Sequence, residues 1–296
     1  MACLPADLHM HSKLCGHAVG EIDQYVERAI ELGLEGIGFS FHLPIRIPAT
    51  YKINVTREEL DFLTGEIERL RGAYGSRIPI LFGGEADYLP GNEPEVAELA
   101  EAYPFDYLVG SVHFIGEWAF DHPAAAPDYA RWDRRTLYET YFALVRDAVA
   151  TGLFDIVGHV DLIKKFGHRL EGDWGDIVDA LCSEMRRRDV CLEINTAGFD
   201  RPAREQYASE AIIRASFAAG VPIIFASDAH APGEVGRYFG SAVALARAAG
   251  YGSYAWFQRR RRTLRPIPND SASPALPPAS GRPPRVAIST GRAARP

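Results

Sequence analysis

The segment CLPADLHMH, residues 3–11, joins a short apolar run to two histidines that are separated by one residue. Its pattern predicts a β-strand over residues 3–9, at the start of the chain. In an extended segment, residues two apart face the same way, so His9 and His11 can point together to one place while Met10 points away. The segment therefore predicts a strand that brings two imidazoles to a common site.

Six more short runs rich in β-branched and aromatic residues follow this segment. With it, the predicted strands cover residues 3–9, 35–42, 78–87, 106–113, 154–161, 190–196 and 221–228. Strands that alternate with helices predict a parallel sheet. Seven such units favour one α/β domain, a closed or nearly closed TIM-like (β/α)7 barrel, over two separate domains, although an open doubly wound sheet remains the alternative.

Amphipathic patterns at helical spacing occupy the connections between the strands. The predicted helices cover residues 22–34, 56–75, 132–152, 175–189 and 209–220. Thr56 and Glu59 form a capping box at the start of the second helix. No glycine-rich phosphate-binding motif of the dinucleotide or P-loop type follows any of the strands, which argues against those two functions.

The composition bounds the partners and the compartment. The formal net charge of -7 over 296 residues argues against a nucleic-acid-binding surface. No signal peptide or long apolar run is present, so we expect a cytoplasmic protein with no membrane partner, and its four scattered cysteines are read as reduced thiols. Residues 1–267 are the predicted barrel, and residues 268–296, rich in Pro, Ala, Ser and Arg, are expected to be disordered.

Imidazoles and carboxylates cluster at the ends of the predicted strands or shortly after them. They are His9, His11, His17, His42, Glu85, His113, His159, Asp228 and His230. In parallel barrels the carboxyl ends of the strands meet at one rim, so these groups should converge. Neutral imidazole with carboxylate suits Zn, Fe or Mn, and this many ligands implies at least two metal ions.

The sequence leaves the roles of Asp7 and Cys15, which lie near the first histidines, undecided. Asp7 is placed either to accept the second N–H of a ligand imidazole or to serve the fold alone. Cys15 offers a thiolate, but the abundance of imidazole makes it the less favoured ligand. The sixth predicted strand ends in Glu193 and Asn195 rather than in an obvious ligand.

The motifs DLHMH, GSVHF, GHVD and SDAH, with His42 and Glu85 between them, resemble the polymerase and histidinol phosphatase (PHP) superfamily over about residues 4–265. The segments GSVHFIGEWAFD, GHVDLIKKFG and LEINTAG are similar to its histidinol-phosphatase branch. The resemblance implies a distorted seven-stranded barrel that holds a trinuclear metal centre.

The same resemblance implies how the ligands are divided among two to three divalent transition-metal ions. The first ion would be held by His9, His11, Glu85 and Asp228, and the second by Glu85, His113 and His159. The third would be held by His17, His42 and His230. The candidate catalytic residues are Glu85, Asp228 and His230.

The implied activity is hydrolysis of L-histidinol phosphate to L-histidinol and phosphate in histidine biosynthesis. The candidate substrate contacts are Lys164, Lys165, Arg201, Arg237 and Trp118, with Arg204 as the alternative to Arg201 because the segment 199–209 departs from the family pattern. Two other functions stay open: a PHP phosphoesterase acting on a nucleotide or other small ester, and a non-catalytic metal-binding module. The sequence does not indicate an oligomeric state.

Overall fold

Six parallel strands form one curled sheet in a computed structural model of the chain, which describes residues 3–49 and 51–269. The order is β1-β2-β3-β6-β7-β8. The strands are β1 (Ile37–His42), β2 (Ile80–Asp87), β3 (Tyr107–Ser111), β6 (Ile156–Val157), β7 (Cys191–Asn195) and β8 (Ile223–Ala226). Two antiparallel hairpins accompany the sheet, β4 (Phe114–Ile115) with β5 (Trp118–Ala119), and β9 (Ser253–Gln258) with β10 (Arg261–Pro266). The class is α/β, as the alternation of patterns predicts.

The amino-terminal segment lies between the two edges of this sheet. Toward β1, Gly38 N–H donates to the Asp7 carbonyl at 2.8 Å. Toward β8, Leu8 N–H donates to the Phe225 carbonyl at 3.1 Å. The segment forms isolated parallel bridges instead of the continuous strand predicted over 3–9, and Pro5 within it has no N–H to donate.

Seven α-helices of the described residues pack outside the sheet. They are α1 (Ile22–Leu32), α2 (Arg57–Tyr74), α3 (Glu93–Ala102), α4 (Arg134–Ala150), α5 (Gly175–Arg188), α6 (Glu210–Ala218) and α7 (Phe239–Ala249). The predicted capping box is present, with Glu59 N–H donating to Thr56 Oγ1 at 3.1 Å and Thr56 N–H to Glu59 Oε2 at 2.8 Å. The sequence reading missed α3, α7 and both hairpins.

Tyr107 fills the interior of the curled sheet below the carboxyl ends of the strands. Its ring is fully buried, and its hydroxyl donates to the Leu8 carbonyl at 2.8 Å. A Cβ added at Gly38 would lie 2.1 Å from that hydroxyl, and one at Gly83 would lie 2.4 Å from the ring. The two glycines are therefore required by the close approach of this tyrosine.

The β9–β10 hairpin closes the opposite end of the sheet, and we call this end the floor. The Phe257 ring lies 5.9 Å from the Tyr107 ring. Arg259 and Arg260 form the turn with positive φ values of 47° and 63°, and both backbone N–H groups donate to Asp106. The floor is thus fastened by apolar packing and by a buried carboxylate, a feature that the sequence reading did not anticipate.

None of the helices in the described part of the chain is long and apolar enough to cross a membrane. The expectation of disorder concerns residues 268–296, of which 270–296 lie outside the described residues.

Candidate metal centre

The nine predicted ligands come together at the carboxyl ends of the strands, which we call the rim. His42 and Glu85 lie near the carboxyl ends of β1 and β2, and His9 and His11 lie in the amino-terminal segment. The other five lie in connections after a strand or after that segment. Three sets have ligand atoms within 4.8 Å of one another, namely His11, His42 and His230; His9, His11 and Asp228; and Glu85, His113 and His159. Residues distant in sequence thus form one continuous cluster.

Glu85 lies at the centre of this cluster. Its Oε2 is 3.3 Å from His9 Nε2, 3.1 Å from His42 Nδ1 and 3.7 Å from His11 Nε2. Its Oε1 is 3.0 Å from His159 Nε2 and 3.9 Å from His113 Nε2. One carboxylate therefore faces five imidazoles, a position suited to bridging two cations.

Several buried polar atoms of the cluster have no hydrogen-bond partner among the described residues. They are His9 Nε2, His11 Nδ1, His42 Nδ1, His159 Nδ1 and Glu85 Oε2. Buried polar atoms are almost always paired in proteins, because an unpaired one loses its hydration without compensation. A nitrogen-rich donor set with unpaired buried atoms fits divalent transition-metal ions.

Four of the imidazoles are oriented through their other ring nitrogen. His9 Nδ1 is 2.9 Å from Glu193 Oε1, and His113 Nδ1 is 2.6 Å from Asp87 Oδ1. His17 Nδ1 lies 3.0 Å from the Cys15 carbonyl, and His230 Nδ1 lies 3.0 Å from the Asp228 carbonyl. A proton on each Nδ1 leaves Nε2 as the free lone pair, which is the usual arrangement of metal-binding histidines.

The family comparison agrees with this geometry. Residues 7–197, more than half of the chain, match the model described as the PHP domain. The chain belongs to the PHP family. A protein from Deinococcus radiodurans named probable histidinol-phosphatase is 38% identical over 257 residues, which are 86% of this chain and 97% of that protein.

Two further proteins extend the comparison. The histidinol-phosphatase of Bacillus subtilis is 26% identical, with 78% of this chain and 95% of that protein covered. Among solved structures, the histidinol phosphate phosphatase of Lactococcus lactis, complexed with zinc, L-histidinol and phosphate, has a TM-score of 0.75 at 22% identity. The alignment covers 88% of this chain and all of that one, so the PHP fold extends over most of the chain.

The third predicted ligand set, His17, His42 and His230, differs by one residue from the group of ligand atoms that the structure brings together. The ring of His17 is 5.4 Å from that of His42 and 4.7 Å from that of His230, so the three predicted rings are neighbours. The set whose ligand atoms lie within 4.8 Å of one another, however, contains His11 in place of His17. His17 is exposed, and it therefore lies at the mouth of the cluster rather than in its interior.

Burial and charge shift the pKa values of the cluster in opposite directions. Burial lowers the pKa of His42 and of His230 to about 4, so these rings are neutral lone-pair donors at neutral pH. Burial also opposes the charged form of His113, but Asp87 outweighs it and raises the pKa of that ring to about 10. Although burial opposes ionisation of Glu85, the surrounding imidazoles hold its pKa well below the usual range.

Two candidate ligands have an unusual backbone. The φ angle is 22° at His159 and 52° at Asp228, in the left-handed region that disfavours residues with a Cβ. Such conformations persist only where surrounding contacts impose them, and they concentrate at functional sites. In both residues the strained turn comes directly after a strand and directs a side chain into the rim.

The hydrogen bonds of the Lys164 ammonium group argue against a phosphate contact for this residue. Its ammonium group is buried and donates to Asp161 Oδ2 at 2.8 Å, Glu205 Oε2 at 3.0 Å and the Gln206 carbonyl at 2.8 Å. An ammonium group has three donors, and all three are used. Lys164 therefore ties the connection after β6 to the connection after β7.

Lys165 and Arg201 retain donors that a ligand can use, whereas the unpaired indole N–H of Trp118 is buried. Lys165 Nζ has one carboxylate partner, Asp121 Oδ2 at 2.9 Å. Arg201 is exposed, and no side-chain partner of its guanidinium lies among the described residues. Trp118 is half-buried against Trp132, and its Nε1 has no partner in the described part of the chain.

The structure resolves the roles of residues that the sequence left open. Asp7 accepts from the backbone N–H groups of Ser227 and Gly236 at 2.9 Å each, and it touches no imidazole ring, so it serves the fold. Cys15 Sγ is 4.0 Å from His17 Nε2, and its thiol donates to the Ser12 carbonyl. Sequence reasoning missed Asp87 as a partner of His113, although its position two residues after Glu85 on a strand was a usable signal.

Proposed function

We propose that this PHP protein is a metal-dependent phosphomonoesterase that hydrolyses L-histidinol phosphate to L-histidinol and phosphate. The observation that carries the proposal is the convergence of seven imidazoles and two carboxylates at the rim, with unpaired buried atoms facing one another. The substrate is supported by relatives named histidinol-phosphatase, among them one at 38% identity over nearly its whole length.

The proposed ligands are the nine residues of the rim. His9, His11, Glu85 and Asp228 would hold one ion, Glu85, His113 and His159 a second, and His17, His42 and His230 a third. The close approach of His11 to His42 and His230 supports a shared role for His11 between the first and third ions. The donor set suits two to three ions of Zn, Fe or Mn.

When bound, such ions supply a water molecule of lowered pKa as the nucleophile and neutralise charge on the phosphoryl oxygens. Glu85 holds the first two ligand sets in register, since its two oxygens face different sets. Asp228 is ionised, because the neighbouring imidazoles offset burial and keep its pKa well below the usual range. In this state its Oδ1 lies 3.1 Å from His11 Nε2, and the leaving alcohol would be protonated either by Asp228 or by a metal-bound water molecule.

Substrate recognition is proposed for side chains of the segments that follow β3, β6 and β7. Lys165 and Arg201 are suited to the phosphate oxygens, because both are cationic and keep free donors in the described structure. The half-buried ring of Trp118 is the proposed aromatic contact for the rest of the substrate, although its indole N–H is buried. His230 is the proposed catalytic imidazole. Its side chain is 26% exposed, so a bound substrate can contact it.

The test is phosphate release by the purified full chain, loaded with zinc or manganese, from a panel of esters. We expect kcat/KM for L-histidinol phosphate to exceed that for p-nitrophenyl phosphate and for a nucleoside 3',5'-bisphosphate by at least about tenfold, which is about 1.4 kcal/mol of discrimination. Preference for the bisphosphate would assign a nucleotide substrate. Absence of hydrolysis with metal bound would indicate a binding module.

We also propose that residues 3–11 act as the seventh strand of a closed barrel. The backbone hydrogen bonds from this segment to β1 and to β8 support closure.

A cytoplasmic location is supported by the four cysteines, which are all free.

A further inference from the structure

Asp228 has two functions at the rim that depend on the orientation of its own peptide group. Its Oδ1 lies 3.1 Å from His11 Nε2, on one side of the cluster. Its carbonyl oxygen accepts from His230 Nδ1 at 3.0 Å, which directs the His230 ring to the other side. A rotation of this left-handed residue would therefore move two proposed ligands at once.

Arg237 holds the two carbonyl groups that define this turn. Its Nε and NH2 donate to the Ser227 carbonyl at 3.2 and 3.0 Å, and NH2 also donates to the Asp228 carbonyl at 3.3 Å. The side chain is only 10% exposed. The guanidinium thus lies under the strained turn rather than in the open mouth of the site.

The far side of the same guanidinium is fixed by two carboxylates. NH1 lies 3.1 Å from Asp200 Oδ2 and 3.1 Å from Glu234 Oε1. Glu234 in turn accepts from the His230 backbone N–H through Oε2 at 2.7 Å. Four of the five N–H donors of the guanidinium make hydrogen bonds in this arrangement, and Glu234 forms an ion pair with NH1, so the side chain is committed to the protein and not to a phosphate.

We infer that Arg237 is a positioning residue that holds Asp228 and His230 in the geometry required for metal binding, and not a phosphate ligand. This inference rests on the metal centre proposed above. The planar fork is essential to it, because two adjacent donors reach two consecutive carbonyl groups while the opposite edge is anchored. A lysine in its place keeps the charge but cannot reproduce the fork.

The test measures zinc bound per chain after equilibrium dialysis at graded free zinc, for the wild-type chain, Arg237→Gln and Arg237→Lys. The weakest zinc-binding step should become about 10- to 100-fold weaker in both variants, the range found when the partner that orients a metal ligand is removed. Arg262→Gln is the matched control. Arg262 pairs with Asp189 at 2.7 Å on the floor, so this variant should bind zinc as the wild type does.

A second readout separates positioning from phosphate binding. At saturating zinc, the affinity of Arg237→Gln for inorganic phosphate should return to within about threefold of the wild-type value. Wild-type zinc affinities combined with a persistent loss of phosphate affinity would overturn the inference, because that pattern belongs to a direct phosphate ligand. Wild-type behaviour in both measurements would overturn it as well.

A third variant keeps the inference testable if Arg237→Gln does not fold. Asp200 is 42% exposed and anchors only NH1, so Asp200→Asn should fold and weaken the last zinc step by a smaller factor than Arg237→Lys. Unchanged zinc binding in both of these variants would contradict the inference. A wild-type chain that binds no zinc would reject the metal centre itself, and the inference with it.

Discussion

Two buried carboxylates at opposite ends of the sheet, Glu85 at the rim and Asp106 at the floor, differ in how they are paired. Asp106 accepts from the Arg259 and Phe82 backbone N–H groups at 3.0 Å each and from Arg71 NH2 at 2.6 Å. Glu85 faces a ring of imidazoles, and its Oε2 has no hydrogen-bond donor in the described structure.

The difference in pairing indicates different roles for the two ends of the sheet. The floor satisfies its charges internally, so it contributes to the stability of the fold without needing a ligand. The rim concentrates buried lone pairs that cannot satisfy one another, and a cation resolves this conflict. Removing a charge should therefore change stability at the floor and chemistry at the rim.

The largest expected effect comes from the rim carboxylate. Glu85→Gln should lower kcat/KM for L-histidinol phosphate by more than about 10³-fold, because the amide cannot bridge two cations as a carboxylate does. Asp106→Asn is the matched control, and it should leave the activity per folded molecule unchanged. Equal losses of activity in the two variants would remove the distinction between rim and floor.

The floor should respond in stability instead. Phe257→Ala removes a ring packed against Tyr107 and should lower the free energy of unfolding by about 3–5 kcal/mol. Thermal and denaturant unfolding of the metal-free protein measure this change. Zinc bound per folded chain should stay at the wild-type value, and a loss of zinc would mean that the two ends are coupled.

A smaller effect is expected one step away from the metal ligands. Asp87→Asn should weaken metal affinity or activity by about 10- to 100-fold, since Asp87 orients His113 through a 2.6 Å contact. The measurement is a zinc competition titration with a chromophoric chelator. An unchanged titration would show that His113 does not depend on this partner.

The smallest expected effect is the release of a proton from His113 when a metal ion binds. Asp87 outweighs burial and raises the pKa of His113 to about 10, so this ring is protonated in the metal-free protein below that pH. A metal must displace the proton, and its apparent affinity should rise with pH by up to about tenfold per unit for each proton released. Calorimetric titrations in two buffers of different ionisation enthalpy measure the release. Identical heats in both buffers would contradict it.

Much of this arrangement is predictable from the sequence, for local reasons. The alternation of apolar runs and helical patterns predicts the parallel α/β class, and the strand ends predict which side chains converge. His9 and His11 follow from the two-residue repeat of an extended chain. These features depend on neighbours in sequence, which is why a single chain reveals them.

Other features depend on partners far away in sequence. The charge of Lys164 and of Arg237 suggested phosphate binding, but the acceptors that occupy Lys164 lie up to 42 residues away. The turn formed by Arg259 and Arg260 could not be predicted, because it lacks the usual Asn-Gly sequence of a hairpin turn. Contacts with Asp106 hold this turn in place instead. Residue type alone does not reveal such tertiary partners.

The most direct test of the metal centre is elemental analysis of the purified full chain, combined with phosphate release from L-histidinol phosphate before chelation, after chelation and after reloading. The predicted result is two to three ions of Zn, Fe or Mn per chain, loss of activity on chelation and recovery on reloading. Full activity in a chain with less than about 0.1 ion bound would contradict the proposed function, since the rim would then act without cations.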